Sequence, residues 1–174
     1  MHIIVDGYNL IRQSPSLRSR ERISLETGRN SLISLLSELK KIRPHRITVV
    51  FDGREGLSRR ETREAIVGIQ VIYSAVGETA DDVIKRMATE EAGNLLVVTS
   101  DREIGHFIHR RGGATILSPE FEQQLSGIIS GTAPAQGESG EDEPCPAETG
   151  TKKKGPSRRP SRKEKRLRQS LNKP

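Results

Sequence analysis

Asp6, Asp52 and Asp101 each stand where an apolar, β-branched run gives out, in IIVDGYNL, ITVVFDG and LLVVTSD. Such a run reads as a buried strand that delivers its carboxylate to one edge of a sheet. If the three strands are parallel, all three carboxylates share that edge and repel one another. A divalent cation among them would offset the repulsion. A further acidic pair, Asp81-Asp82, opens the helical pattern TADDVIKRMA. Mg2+ and Mn2+ prefer hard oxygen ligands and keep several waters. Carboxylates from separate strands can hold such ions against a phosphate, where they polarise it and activate water. No Ser-His-Asp order, zinc spacing or P-loop offers a competing chemistry.

Each of these residues has a plainer role too. Asp6-Gly7 or Asp52-Gly53 alone reads as a turn, and Asp101 alone as a helix N-cap. Asp81 and Asp82 suit a helix N-terminus without any metal. Asn9 is functional if Asp6 is, and otherwise shapes its own loop through a side-chain-to-backbone bond. His106 and His109, three apart on a charged helix face, read as solvent-exposed. Tyr8 is equally a core residue or a base-stacking one. The convergence of three strand-end acids favours the metal reading over these separate roles.

The elements that must position the acids alternate. His2 to Val5 reads as a buried strand. Residues from about Ser19 to Ile42 read as one long helix with Leu25, Leu32, Leu36 and Leu39 on a stripe. Gly28 weakens it by roughly 1 kcal/mol relative to Ala, and Pro44 ends it. Strands follow at Ile47–Phe51 and Ile69–Tyr73. Thr79 N-caps a helix to about Glu91, stopped by Gly93. Leu95–Val98 is a strand, a helix starts at Ser100 or Asp101, and Ala114–Leu117 is the last strand. Ser118-Pro119-Glu120 starts a final helix with a cap, an early Pro and an acid. This alternation predicts an α/β sandwich around a mostly parallel sheet. Sites in such sheets form beyond the carboxyl ends of the strands, near the reversal of strand order. Asp6, Asp52 and Asp101 fall there, with Asn9, Arg12, the arginines of residues 54–63 and Glu103 in the same loops.

The net charge of the 174 residues is +6, but residues 1–130 are almost neutral. Residues 131–150 are acidic and contain no Lys or Arg, whereas 151–174 carry a net +10. We therefore expect one domain over 1–130, an acidic disordered linker over 131–150 and a basic disordered tail over 151–174. Truncation after about Gly131 is expected to keep the fold. The single cysteine, Cys145, excludes an intramolecular disulfide and a Cys-based zinc site. No signal-like segment and no membrane-length apolar run is present, so a cytoplasmic location without membrane contact is expected.

VDGYNL, VVFDG, ETADDVI and VVTSDREI, in that order, resemble the YacP-like NYN-domain proteins, relatives of the PIN nuclease fold. The resemblance covers roughly residues 1–128. It implies a PIN-like three-layer sandwich and a metal-dependent endoribonuclease of bacterial type, acting on ribosome-associated or other structured RNA. Asp6, Asp81 and Asp101 then look like the Mg2+ or Mn2+ ligands, with Asp52 and Asn9 in the same site and Asp52 a further metal contact. Thr79 and Asp82 have capping-box spacing, so Asp81 is favoured as ligand, with Asp82 and Glu103 in support. Arg59, Arg60 and Arg63 are expected to contact phosphates. The tail, including Lys152, Lys153, Lys154, Arg158 and Arg159, would add salt-sensitive affinity for RNA. No small organic cofactor is expected. Two rivals remain: a non-catalytic RNA-binding module that takes no metal, and a small-molecule phosphohydrolase, for which the Asp-x-Asp pattern is missing because Gly7 and Tyr8 follow Asp6.

Overall fold

The computed structural model describes residues 1–53, 60–91, 94–131 and 162–172. The β-branched runs form six strands: β1 (His2–Asp6), β2 (Arg46–Phe51), β3 (Thr62–Ile66), β4 (Ile69–Tyr73), β5 (Leu95–Val98) and β6 (Ala114–Ile116). They lie in one sheet in the order β3-β4-β2-β1-β5-β6. All neighbours are parallel except β3 and β4. From β1 the chain first builds outward through β2 and β4, then returns to the other side of β1 for β5 and β6. The order therefore reverses between β1 and β5, and the crevice beyond their carboxyl ends is where such sheets bind ligands.

Seven helices cover the two faces among the described residues: α1 (Gly7–Gln13), α2 (Pro15–Glu21), α3 (Leu25–Ile42), α4 (Ala80–Glu90), α5 (Arg102–Arg110), α6 (Ser118–Ile129) and α7 (Arg162–Asn172). Alternation along the central strands divides the core in two, as the period of a strand requires. Ile3, Val5, Val49, Phe51 and Val98 face α1, α3 and α6. Ile4, Val50, Ile72 and Val97 face α4 and α5, against Val83, Ile84, Ile104 and Ile108. The result is the expected α/β/α sandwich, and α4 and α5 begin at their expected caps, Thr79 and Asp101.

Four local expectations differ from the structure. The single helix expected from Ser19 to Ile42 is two, the end of α2 and all of α3, and α1 precedes them in a stretch where no helix was expected. Side-chain caps set each start: Asp6 accepts from the Asn9 amide, Ser14 from Leu17 and Ser24 from Thr27. Gly28 sits where α3 passes close to α2: a Cβ there would come within 3.1 Å of Glu21 Cα, a tight contact that α2 would have to yield to. The second difference is β3, an edge strand whose residues are all at least partly exposed, so no apolar alternation marks it. It joins β4 through Val67 and Gly68, both at positive φ, a two-residue turn whose twist suits a hairpin. Third, Ser118 does not cap α6. The N-cap is Leu117, without a side-chain bond, and the Ser118 hydroxyl is used elsewhere.

The fourth difference corrects the disordered tail for Arg162–Asn172. These residues form α7, and Leu167 and Leu171 join the core beneath it at 7% and 0% exposure. Arg168 Nε donates to the Thr115 carbonyl at 2.9 Å, and its Nη1 lies 3.4 Å from the Glu120 carboxylate. The low apolar content of 151–174 concealed the helix because two leucines four residues apart suffice for one buried stripe. Gly93, the acidic linker with Cys145, and Lys152, Lys153, Lys154, Arg158 and Arg159 lie outside the described residues.

Candidate active site

Asp6 ends β1, the strand between β2 and β5, and is 8% exposed. Its Oδ1 accepts from the Asn9 amide at 3.2 Å and its Oδ2 from the Thr99 hydroxyl at 3.2 Å. No described Lys or Arg pairs with it. Burial is the main force raising its pKa, to about 6, and repulsion from Asp81 and Asp52 adds to it. The bonds from Asn9 and Thr99 oppose that rise. The two Asp-Gly pairs are not turns in which glycine supplies a positive φ. A Cβ on Gly7 would sit 2.3 Å from the Phe51 ring, and one on Gly53 would sit 2.1 Å from the Ser74 carbonyl oxygen. Each glycine is there because backbone packs closely just behind a carboxylate.

Asp81 lies in the first turn of α4, half-buried. Burial comes first among the causes raising its pKa, followed by Asp101, with Asp52 and Glu103 contributing and Lys85 opposing. Asp82 is differently engaged. Its Oδ2 accepts from the Thr79 amide at 3.0 Å and hydroxyl at 2.7 Å, while its own amide donates to Thr79 Oγ1 at 3.2 Å. That capping box holds the Asp82 pKa down and leaves Asp81 as the acid without a cap to make. Asp52 Oδ1 accepts from the Ala80 amide at 2.7 Å. It thereby docks the start of α4 against the end of β2 and fixes where Asp81 sits.

Asp101 caps α5, with Oδ1 accepting from Glu103 at 2.6 Å and Ile104 at 3.1 Å. Thr99 connects it to Asp6, since Thr99 Oγ1 donates to Asp6 and accepts from the Asp101 amide at 3.1 Å. Asn9 Oδ1 accepts from the Ser100 amide at 3.0 Å and the Ser118 hydroxyl at 2.8 Å. This long-range tie replaces the local loop bond as the plainer role of Asn9: it joins α1 to the loop after β5 and to the start of α6. Glu103, 81% exposed, pairs with Lys85 at 2.6 Å on the rim.

The register places Thr62 opposite Tyr73 and Arg63 opposite Ile72, so Arg63 near the start of β3 and Arg60 just before it lie towards the same carboxyl edge. Arg63 is paired with Glu61; Arg59 lies outside the described residues. His109 bonds Thr115 through Nε2 at 3.0 Å, and His106 is exposed on α5. Tyr8 packs half-buried against Phe51. Thr99, Ser100 and Ser118 bind the site together, although the sequence marks Ser100 and Ser118 only as helix starts and does not mark Thr99 at all. Thr99 and Ser100 lie inside the VVTSD motif, but nothing in their spacing tells a hydroxyl aimed at Asp6 from a loop residue.

The edge thus gathers carboxylates, with the pKa of Asp6 and of Asp81 raised by burial and by neighbouring acids, and its donors are hard oxygens only. Among the described residues, no three carboxylate, imidazole or thiol side chains stand close enough together to form a ready cage for a metal. That does not conflict with the chemistry of Mg2+ or Mn2+ sites, which use one or two carboxylates and retain several waters. The donor set and the unpaired, buried Asp6 fit such an ion.

This fold and edge define a nuclease-like α/β domain. Residues 3–169 match the model of the YacP-like NYN domain, and the chain belongs to that family. The match runs past residue 128, where the resemblance was expected to end, and takes in most of α7. The chain is 34% identical over 104 residues to the uncharacterized protein YacP of Bacillus subtilis, covering 57% of this chain and 59% of YacP. It is 26% identical over 133 residues to flap endonuclease Xni of Shewanella denitrificans, covering 62% and 53% of the two. The matched lengths are therefore under two thirds of either relative. The crystal structure of Rae1 (YacP) from Bacillus subtilis superposes with a TM-score of 0.62 at 29% identity, covering 75% of this chain and 76% of that one. A mutant of the same protein gives 0.61 at 28%, covering 74% and 77%.

Proposed function

We propose that the chain is a divalent-metal-dependent endoribonuclease, with a ribosome-bound or otherwise structured RNA as substrate. The observation that carries this is Asp6: a carboxylate buried at the end of a central strand, raised to about 6 and given no basic partner among the described residues. Membership of a nuclease-related family supports the reaction class.

Asp6, Asp81 and Asp101 would hold Mg2+ or Mn2+, which when bound would polarise the scissile phosphate and lower the pKa of an attacking water. The chain's own residues then have separable tasks. Thr99 fixes the orientation of the Asp6 carboxylate. Asp52 seats the start of α4, and so Asp81. Asn9 locks the loop that carries Ser100 and Asp101. Arg60 and Arg63 lie where a phosphate backbone would leave the edge, and on α7 the exposed Arg162, Lys165 and Arg166 extend the basic surface. No helix among the described residues is long and apolar enough to cross a membrane; a ribosome-bound substrate would require the protein to work in the cytoplasm.

The deciding experiment incubates purified protein with ribosomes or total RNA in Mn2+ or in EDTA and maps new RNA ends. New ends are expected with Mn2+ only, and none from a folded Asp6→Asn variant. Cleavage that persists in that variant, or in EDTA, removes the assignment.

A further inference from the structure

Arg29 on α3 is 4% exposed, yet it forms no ion pair with a described acid. Its Nε and Nη2 donate to the Tyr8 hydroxyl at 2.8 and 2.5 Å. Its guanidinium carbon lies 5.5, 5.8 and 5.6 Å from the ring centroids of Tyr8, Phe51 and Tyr73. Phe51 meets Tyr8 edge-on at 5.1 Å and stacks on Tyr73 at 5.8 Å. A buried cation is thus held by three aromatic rings in place of a carboxylate, an arrangement that fixes the rings as firmly as it shelters the charge.

The position of this cluster gives it a use. Tyr8 is two residues from Asp6, Phe51 immediately precedes Asp52, and Tyr73 precedes Ser74, whose hydroxyl accepts from the Gly53 amide. The rings therefore flank the acidic edge at the ends of β1, β2 and β4. Tyr8 is only half-buried, and Arg12, 68% exposed, lies 5.4 Å from its ring centroid. The acid nearest Arg12 is Glu21 at 3.8 Å, a loose pair that a phosphate could displace. A polynucleotide crossing an edge rich in carboxylates needs cations and stacking surfaces beside it, because the carboxylates repel its phosphates. Aromatic rings that stack bases, combined with arginines for the backbone, are how single strands are held irrespective of sequence.

We infer that Tyr8 and Arg12 form a nucleotide subsite for single-stranded RNA beside the acidic edge. One base stacks on Tyr8, the adjoining phosphate takes Arg12, and Arg29 is the positioning residue that fixes the Tyr8 ring through its hydroxyl. The choice of RNA rests on the nuclease reading; the binding itself does not depend on cleavage.

The composition supplies a direct probe. The chain has two tyrosines, Tyr8 and Tyr73, and no tryptophan, so its intrinsic emission reports on this cluster alone. The full-length protein is titrated in EDTA with a short single-stranded RNA. Tyrosine emission, corrected for absorbance, reads stacking, and anisotropy of the same RNA carrying a fluorophore reads affinity. Saturable quenching is expected with the wild type. Arg12→Gln, a surface change, should weaken binding and lower the salt slope by about 0.7, one phosphate contact on a single strand. Tyr8→Leu should cost about thirtyfold in affinity, a mid-range value for one stacked base. Tyr8→Phe should bind between these two, keeping the ring while losing its tie to Arg29. Arg29→Met should reduce quenching at an unchanged thermal midpoint, with part of the loss restored by Arg29→Lys.

The inference is overturned if Arg12→Gln leaves affinity and salt slope unaltered, or if RNA binds without changing tyrosine emission. Quenching by a protein that cuts no RNA in Mn2+ would remove the nuclease reading and leave the subsite. Cleavage without quenching would do the reverse.

Discussion

At the scale of single residues, Asp6 makes the sharpest claims, and its protonation sets their sign. Burial and the neighbouring carboxylates raise its folded pKa to about 6, whereas an unfolded Asp titrates near 3.9. The folded state therefore binds this proton more tightly. The contribution of this group to stability without metal should be greatest below about pH 4, fall as pH rises towards 6, and level off above it. Two units correspond to roughly 3 kcal/mol at most. Asp6→Asn removes this titration, so its stability in EDTA should exceed wild type at pH 8 and approach it at pH 3.5. Asp81, shifted the same way, leaves a residual slope in the variant. Denaturant unfolding across pH measures both, and a gain that is constant from pH 3.5 to 8 would detach the effect from Asp6 ionisation.

The neighbouring pair on α4 gives a second contrast. Asp82 is committed to Thr79, and Asp81 is not. Asp81→Asn should abolish RNA cleavage with little loss of stability. Asp82→Asn should retain most of the cleavage and show its effect as fraying of α4, seen as faster amide exchange in its first turn. Loss of cleavage on Asp82→Asn with activity retained on Asp81→Asn would exchange the two roles.

At the scale of elements, the site is held by joints between loops, and Asn9 is the most connected of them. One carbonyl oxygen receives the Ser100 amide, the Ser118 hydroxyl and a weaker bond from Gln13 at 3.2 Å. Asn9→Ala leaves these donors without their acceptor, and a buried donor so stranded costs about 1–3 kcal/mol. Because the loop after β5 carries Asp101, cleavage should fall further than stability does. Thermal unfolding and RNA cleavage on the same preparation compare the two; an unchanged cleavage rate would show that the joint does not set the position of Asp101.

Such joints also mark the limit of what the sequence discloses. Strands β1, β2, β4 and β5 were legible because each is dominated by β-branched and aromatic residues, mostly buried. The caps of α4 and α5 were legible because Thr79, Asp82 and Asp101 act on backbone within three residues. Strand β3 was hidden because an exposed edge strand has no buried face to show alternation. Helices α1 and α2 were hidden because Asp6 and Ser14, their caps, sit among residues that also read as loop. The link from Thr99 to Asp6 spans most of the domain, and the Arg29 cluster joins four elements. Neither has a periodicity or spacing that could announce it.

At the scale of the whole molecule, the C-terminal helix changes what counts as the folding unit. A domain ending near residue 130 would leave β6, the edge of the sheet, with α5 as the helix packed on it. Instead α7 packs on β6 and β5, sealing Leu167 and Leu171 against the core formed with Phe121 and Leu125. Arg168 ties the helix to the Thr115 carbonyl of β6. Truncation after Gly131 should thus destabilise the domain, contrary to the sequence-based expectation that it would preserve the fold. Leu171→Ala tests the packing with the rest of the chain intact, including every basic residue beyond 150. Removing a fully buried leucine costs about 2–5 kcal/mol, which should appear as a lower midpoint of denaturant unfolding at an unchanged slope. The exposed Lys165→Gln should leave that midpoint in place and weaken only the salt-dependent binding of RNA. If Leu171→Ala unfolds at the wild-type midpoint, α7 is not part of the cooperative unit, and the basic segment returns to being a tail that acts through charge alone.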